Sequence, residues 1–210
     1  SAYPRDVAGS YMPCFLAGQA AAQTAASVLN VPLYRFSHQA GHLMAAVKTC
    51  GSESIGRGEF LAFHLSGGTT ELLHVTPDET IGFAAEIVGR TLDSSAGQLV
   101  DRIGVMLGLS FPCGGELERL AGGAEREPAG QVCGRGADCN LSGAENIAAR
   151  RVENGTRACD IAKFALAFVM RTVLGMWQAA TATSACITDA LQKLKYSPTA
   201  TTPRPRPLTA

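Results

Sequence analysis
The stretch that most constrains the fold is EFLAFHLSGGTTELLHVTP, residues 59–77. Two runs rich in Phe, Leu and Val, Phe60–Leu65 and Thr70–Val75, flank Ser66-Gly67-Gly68-Thr69. Strand-forming residues on both sides of a short glycine connection predict an antiparallel hairpin. TIGFAAEIV (80–88) predicts a third strand, and short turns between the three favour a meander at the edge of a mixed sheet. The period then changes. Ala96, Leu99, Val100, Ile103 and Leu107 recur at helical spacing, with Leu92-Asp93-Ser94 as the expected cap.

Around this centre the chain reads mostly as helix. Met12 to Leu29 is alanine-rich and predicts a helix starting near Pro13 and stopping at Asn30. VPLYRF (31–36) reads as a short buried strand. SHQAGHLMAAVKTCG reads as a helix capped by Ser37 and stopped by Gly51. A Pro/Gly turn, FPCGG, precedes a short helix from Glu116. Residues 121–135 are glycine-rich and charged, which marks a loop. CNLSGAENIAARRVENG predicts a strand and then a helix from Ser142. Asp160 to about Ala182 predicts a long apolar helix, central to a helical layer. The expected fold class is therefore α/β, a mixed sheet with a helical layer.

Composition narrows the classes of function. The chain has 210 residues, 46% hydrophobic and 17% charged, with 18 basic and 18 acidic side chains. Zero net charge argues against a polybasic nucleic-acid coat. The absence of about 18 uninterrupted apolar residues argues against a membrane span. Seven cysteines without a C-x-x-C pair fit a reducing compartment better than a disulfide framework. With no charged-then-apolar leader, the expected location is the cytoplasm. Four of the ten prolines fall in SPTATTPRPRPLTA, so residues 184–210 are expected to be a disordered or aberrant tail and residues 1–183 the folded part.

Four constellations carry chemistry. His38 and His42, at i and i+4 on one helix face, are spaced to hold one metal ion. Neutral imidazoles suit zinc or iron. A metallopeptidase needs Glu after the first histidine, and Gln39 stands there. Two surface histidines is the plainer alternative. Ser66-Gly67-Gly68-Thr69-Thr70 suits either an anion cradle or an ordinary glycine hairpin; with no Lys after the glycines it is not a Walker loop. Asp93 reads as a cap. Asp101 reads as a ligand carboxylate or as one half of a surface pair with Arg102. Pro112-Cys113-Gly114-Gly115 reads as a turn open to a ligand, with Cys113 a nucleophile only beside a base. His64 and His74 alternate with apolar residues and read as packed or edge histidines. No residue is assigned as catalytic.

Taken in order, SYMPCFLAG, VPLYRFSHQAGH, FLAFHLSGGTTELL, TLDSSAGQLVDRIGVMLGLSFPCGGELERLA and NLSGAEN resemble the tRNA threonylcarbamoyladenosine synthase family, the TsaD proteins. These were formerly named glycoproteases or O-sialoglycoprotein endopeptidases. The resemblance covers roughly residues 1 to 183. It implies a two-lobed actin-like ATPase (ASKHA) fold, present here in part. It implies transfer of a threonylcarbamoyl group from threonylcarbamoyl-adenylate to the exocyclic amine of the adenosine 3′ of the anticodon, in tRNAs reading codons that begin with A. It implies His38 and His42 as ligands of one divalent iron or zinc per subunit. It implies that His64, Leu65, Ser66, Gly67, Gly68, Asp101 and Gly114 bind the adenylate donor. Its expected partners are tRNA, a paralogous dimerisation subunit and an ATPase subunit.

The chain departs from the family at its ends. The opening strand with its phosphate loop, the closing Gly-Gly-x-x-x-Asn element and the Asp that completes the metal site have no counterpart, so the resemblance is to the middle of the enzyme. Weak metal binding by two histidines and an inactive fragment are the corresponding expectations. Two rival readings stand beside the transferase: a metallopeptidase, and an inert partner subunit of the same pathway. The alanine-rich first helix is a candidate partner face, with core packing the alternative.

Overall fold
A three-stranded antiparallel sheet in the order β1-β2-β3 organises the chain: β1 Phe60–Leu65, β2 Thr70–Asp78 and β3 Gly82–Arg90. The structure, a computed structural model, describes residues 1–5, 8–9, 12–51, 55–125 and 133–183. The proline-rich tail expected from residue 184 onward lies outside the described residues, as do residues 126–132 of the expected 121–135 loop, whose first residue instead ends α4 and whose last three form a strand. The helices are α1 Pro13–Leu29, α2 His38–Thr49, α3 Ala96–Met106, α4 Gly114–Ala121, α5 Ser142–Glu153 and α6 Ala158–Thr183. A second antiparallel pair, β4 Cys133–Arg135 and β5 Asp138–Asn140, joins α4 to α5.

Both faces of the sheet are covered, because successive side chains leave a strand on opposite sides. Phe60 and Ala62 of β1, Leu73 and Val75 of β2, and Phe83 and Ala85 of β3 cluster with Leu43 and Val47 of α2. Leu61, Phe63, Leu72 and Val88 point the other way, into a larger core built on α3 to α6. The layers run helix, sheet, helices. Within the larger core α6 buries Ile161, Phe164, Phe168 and Met176 along one face, and α3 contributes Leu99 and Ile103. The long apolar helix and the period change after β3 are both as expected.

Helix ends follow local chemistry. Pro13 opens α1, and Asn30, at φ 50° and ψ 47°, closes it in the left-handed region. The Ser37 hydroxyl accepts from Ala40 N–H at 3.0 Å and caps α2. The cap of α3 is Ser95, which forms a reciprocal capping box with Gln98. The expected Leu92-Asp93-Ser94 cap is thus displaced by one turn position. Asp93 is committed elsewhere, for the reason given below. The helix α4 begins at Gly114, two residues ahead of expectation.

Two further expectations are corrected. The sheet is not mixed: among the described residues both sheets are purely antiparallel. Val31–Phe36 is neither a strand nor buried; all six residues are exposed. Its pairing is confined to Ala2 N–H on Phe36 C=O and an isolated parallel bridge between Tyr3 and Ser37. A strand sequence without a neighbouring ladder leaves its polar backbone to solvent. The adjoining α1 buries only Ala26, and leaves Met12 and Leu16 each 48% exposed and Val28 79% exposed.

The turn FPCGG lies directly on α3. Asp101 Oδ1 accepts from Cys113 N–H at 2.8 Å, and the Phe111–Pro112 peptide is cis. A Cβ on Gly104 would stand 2.2 Å from Cys113 Cβ, so only glycine permits this approach. Gly104→Ala is expected to destabilise the chain by about 1–3 kcal/mol through overpacking, read as a lowered Tm by circular dichroism.

Candidate active site
The β1–β2 register brings the site together. Leu65 opposes Thr70, so His64 opposes Glu71. Both belong to the face that carries Phe60, Ala62, Leu73 and Val75, which is the face covered by α2. His38 and His42 open that helix. The three rings form a row: the His38 and His42 centroids are 4.4 Å apart, and His42 and His64 are 5.7 Å apart. His38 Nε2 and His42 Nε2 approach to 3.0 Å. The sequence spacing predicted the first pair. His64 read as a packed or edge histidine, and it lies partly buried on the edge strand β1; the four-residue Ser66–Thr69 connection already implies its register against Glu71.

His38 and His64 each have a polar neighbour behind the ring. The Ser1 hydroxyl is 3.2 Å from His38 Nδ1. His64 Nδ1 faces Glu71 Oε2 at 3.9 Å, and Arg5 holds the other Glu71 oxygen at 2.5 Å. The Glu71 side chain is only 9% exposed. Burial pushes the His38 proton affinity down, aided by His42. His64 is also pushed down, first by burial, with Glu71 opposing and the other histidines and Arg5 assisting. Both rings are therefore neutral near pH 7, the form that donates a lone pair to a cation.

The two Nε2 atoms fit a metal. An ion bonded at about 2.0–2.1 Å to each can bridge nitrogens up to about 4.2 Å apart, and 3.0 Å lies within that reach. Among the described residues no three His, Cys, Asp or Glu side chains converge on one point. The histidine pair is thus a partial donor set.

From His64 the chain runs through Leu65 into the Ser66-Gly67-Gly68 connection, which sits on the N-terminus of α3. Gly97 N–H donates to Ser66 C=O at 3.2 Å, and Ser95 Oγ donates to Gly67 C=O at 2.8 Å. A Cβ on Gly97 would lie 2.6 Å from Ser66 O and 2.7 Å from Gly67 Cα. Beyond the connection a cavity of about 620 Å³ opens between Gly67, Asp101, Met106 and Phe111, with Arg102 and Glu145 at its edge. Those two are paired at 3.1 Å, so Arg102 is bonded to Glu145 and not to Asp101. Gly114, two residues from Pro112, begins α4 with open space where a Cβ would be. The structure therefore gathers Gly67 and Asp101 at one cavity, with Gly114 next to Cys113 on the Asp101 carboxylate. Cys113 is fully buried, and burial together with Asp101 and Glu116 pushes its thiol upward, so it is no nucleophile.

Asp93 acts at a distance. Its carboxylate accepts from Leu141 N–H at 2.8 Å, Ser142 N–H at 3.1 Å and Ser142 Oγ at 2.5 Å. The N-cap residue of α5 is Leu141, which has no capping side chain; Asp93 fills that role from 48 residues away. Asp93 is a cap, as expected, but of another helix.

A histidine pair on a helix thus stands beside a glycine-rich connection and a cavity of about 620 Å³ in an α/β chain. The TsaD model, described as tRNA N6-adenosine threonylcarbamoyltransferase, matches residues 9–200, and the chain belongs to that family. Relatives bearing that name include those of Syntrophobacter fumaroxidans, 36% identical over 132 residues, and Streptococcus gordonii, 39% identical over 121. The first alignment covers 61% of this chain and 37% of the relative, the second 55% and 33%. The Oenococcus oeni protein is 38% identical over 55% of this chain and 33% of its own length. The chain thus spans about a third of the length of the curated relatives it matches. Among the described residues no helix is long and apolar enough to cross a membrane.

Burial by itself raises the Asp93 carboxyl, but the bonds from Leu141, Ser142 and Asn140 outweigh it and bring the pKa down to about 2. A folded value below the unfolded one of about 3.9 means the contribution is complete above that value and is lost as pH falls toward 2. Asp93→Asn is expected to lower stability at pH 7 by about 0.5–2 kcal/mol, the range for a lost helix cap. The gap to the parent should close between pH 4 and pH 2 in thermal melts.

Proposed function
We propose that this chain carries the central part of a tRNA threonylcarbamoyltransferase site. In this reading it serves transfer of threonylcarbamoyl from threonylcarbamoyl-adenylate to the exocyclic amine of the adenosine 3′ of the anticodon. The tRNAs are those reading codons that begin with A. The observation that carries the reading, beside family membership, is continuity. His64, whose ring neighbours His42, is three residues from Gly67, which lines the cavity with Asp101.

His38 and His42 hold one divalent metal, iron or zinc. The bound cation supplies Lewis-acid stabilisation of the donor's phosphate anhydride. The Ser66–Gly68 backbone approaches the anhydride without side-chain hindrance. The Asp101 carboxylate and the open Gly114 end of α4 flank the nucleoside, and apolar Met106 and Phe111 line its cavity. The adenosine amine attacks the carbamoyl carbon, the carbon–oxygen bond to phosphate breaks, and AMP departs with the electron pair. The amine's proton passes to water; no side chain is assigned as base. The exposed face of α1, with Met12, Leu16 and Val28, suits a paralogous dimerisation subunit, and an ATPase subunit completes the assembly. The cytoplasm is the compartment for this reaction.

The peptidase alternative lacks its base: Gln39 replaces the required Glu and is buried, 6% exposed. Elemental analysis after gel filtration is expected to find about one metal per chain and none in His38→Ala/His42→Ala. With tRNA and the adenylate supplied, AMP release should require tRNA and leave a modified adenosine. Metal-free parent chain, or peptide cleavage in place of AMP release, would overturn the reading.

A further inference from the structure
The helix α6 has a second apolar face that the core does not use. One side buries Ile161, Phe164, Phe168, Met176 and Ala180. The other carries Met170, Leu174 and Trp177, which are 59%, 50% and 39% exposed. Their spacing of four and three residues sets them within about 60° of one another around the helix. Large apolar side chains lined up in water mark a surface that takes a partner.

The chain's own continuation fits that surface. α6 ends at Thr183, the last described residue, and the sequence runs on to Ala210. The match to the TsaD family reaches residue 200, past the end of α6. In SACITDALQKLKYSP, residues 184–198, Ile187, Leu191 and Leu194 recur at the same spacing of four and three. On a helical period, Asp189, Gln192 and Lys193 fall on the opposite side. Neither Gly nor Pro interrupts the stretch before Pro198. The sequence pattern is therefore a short amphipathic one, with an apolar stripe like that on α6.

The reach also fits. Antiparallel helices are joined by about 2–5 residues, and residues 184–186 supply three. With the same rise per residue in both helices, a segment turning back there brings Leu191 level with Ala179 and Leu194 level with Met176. Those levels lie on either side of Trp177. A tethered segment meets the stripe at an effective concentration of about millimolar, whereas a second copy of the chain meets it at bulk concentration. We propose that residues 187–194 lay their Ile/Leu stripe on Leu174 and Trp177 and cover this face of α6. The proposal depends on neither the metal nor the nucleotide reading.

Trp177 is the single tryptophan of the chain, so it reports its own cover. Its emission and acrylamide quenching are measured in the full chain over a range of protein concentrations. Leu191→Asp/Leu194→Asp is expected to shift the emission to the red and to raise quenching about two-fold, as the indole returns to water. Gln192→Asp/Lys193→Glu, on the opposite side, is expected to match the parent. In the reciprocal arm, Trp177→Ser is expected to speed tryptic cleavage at Lys193 and Lys195. Lys163, within α6, should stay uncut in every variant. Should Leu191→Asp/Leu194→Asp unfold α6, seen as cleavage at Lys163, the Trp177→Ser arm decides alone. Parent-like emission in Leu191→Asp/Leu194→Asp overturns the proposal, as does equal cleavage at Lys193 and Lys195 with and without Trp177. Emission that changes with protein concentration assigns the face to a second copy and overturns it too.

Discussion
The site depends on the register of one hairpin. Because Leu65 closes against Thr70, every second residue of β1 and β2 is assigned to a face, and His64 and Glu71 fall on the side of α2. A slip of one residue would exchange the faces. Phe60, Ala62, Leu73 and Val75 would then leave the α2 cluster, and His64 would enter the apolar core. The register is held from both sides by apolar packing, and at its end by the docking of Ser66 and Gly67 on α3. Glycine at position 97 is the condition for that docking, since any side chain there meets backbone.

Charge is placed with the same economy. Glu71 is nearly buried and has Arg5 against it, a pairing that offsets the cost of burying an acidic side chain. For His38 and His64 the balance is the opposite: burial, aided by neighbouring charge, disfavours the cationic ring. Across the connection, the cavity is lined by apolar Val105, Met106 and Phe111 and also by Asp101. Asp93 and Asp101 each spend a carboxylate oxygen on backbone N–H groups from later in the chain, at Leu141 and Cys113. They tie α5 and the FPCGG turn to the α3 segment, so these acidic residues serve the architecture.

Much of this was legible in the residues. The starts and stops of α1 and α2, the hairpin, the period change into α3 and the long α6 follow from capping, turn chemistry and periodicity, which act over a few residues. The His38–His42 pair follows from helical spacing alone. What was misread needed a distant partner. Val31–Phe36 has strand composition, but strands are made by neighbours. Asp93 looked like the cap of the next helix, yet Ser95 was better placed for that and Leu141 lacked a capping side chain. His64 read as a packed or edge residue and is one, partly buried on the edge strand β1; what its own strand does not announce is α2 beside it.

The sequence by itself determined the elements, the family and the histidine pair, because each depends on contacts within a turn or two of chain or on an ordered set of motifs. Only the tertiary structure decided that α2 lies over the β1–β2 face, that His64 completes a row with His42 and His38, and that Gly67 and Asp101 share one cavity. Those relations join residues 20 to 40 positions apart. They are settled by which apolar faces bury one another, a choice that hydrophobic burial makes collectively and no local pattern encodes.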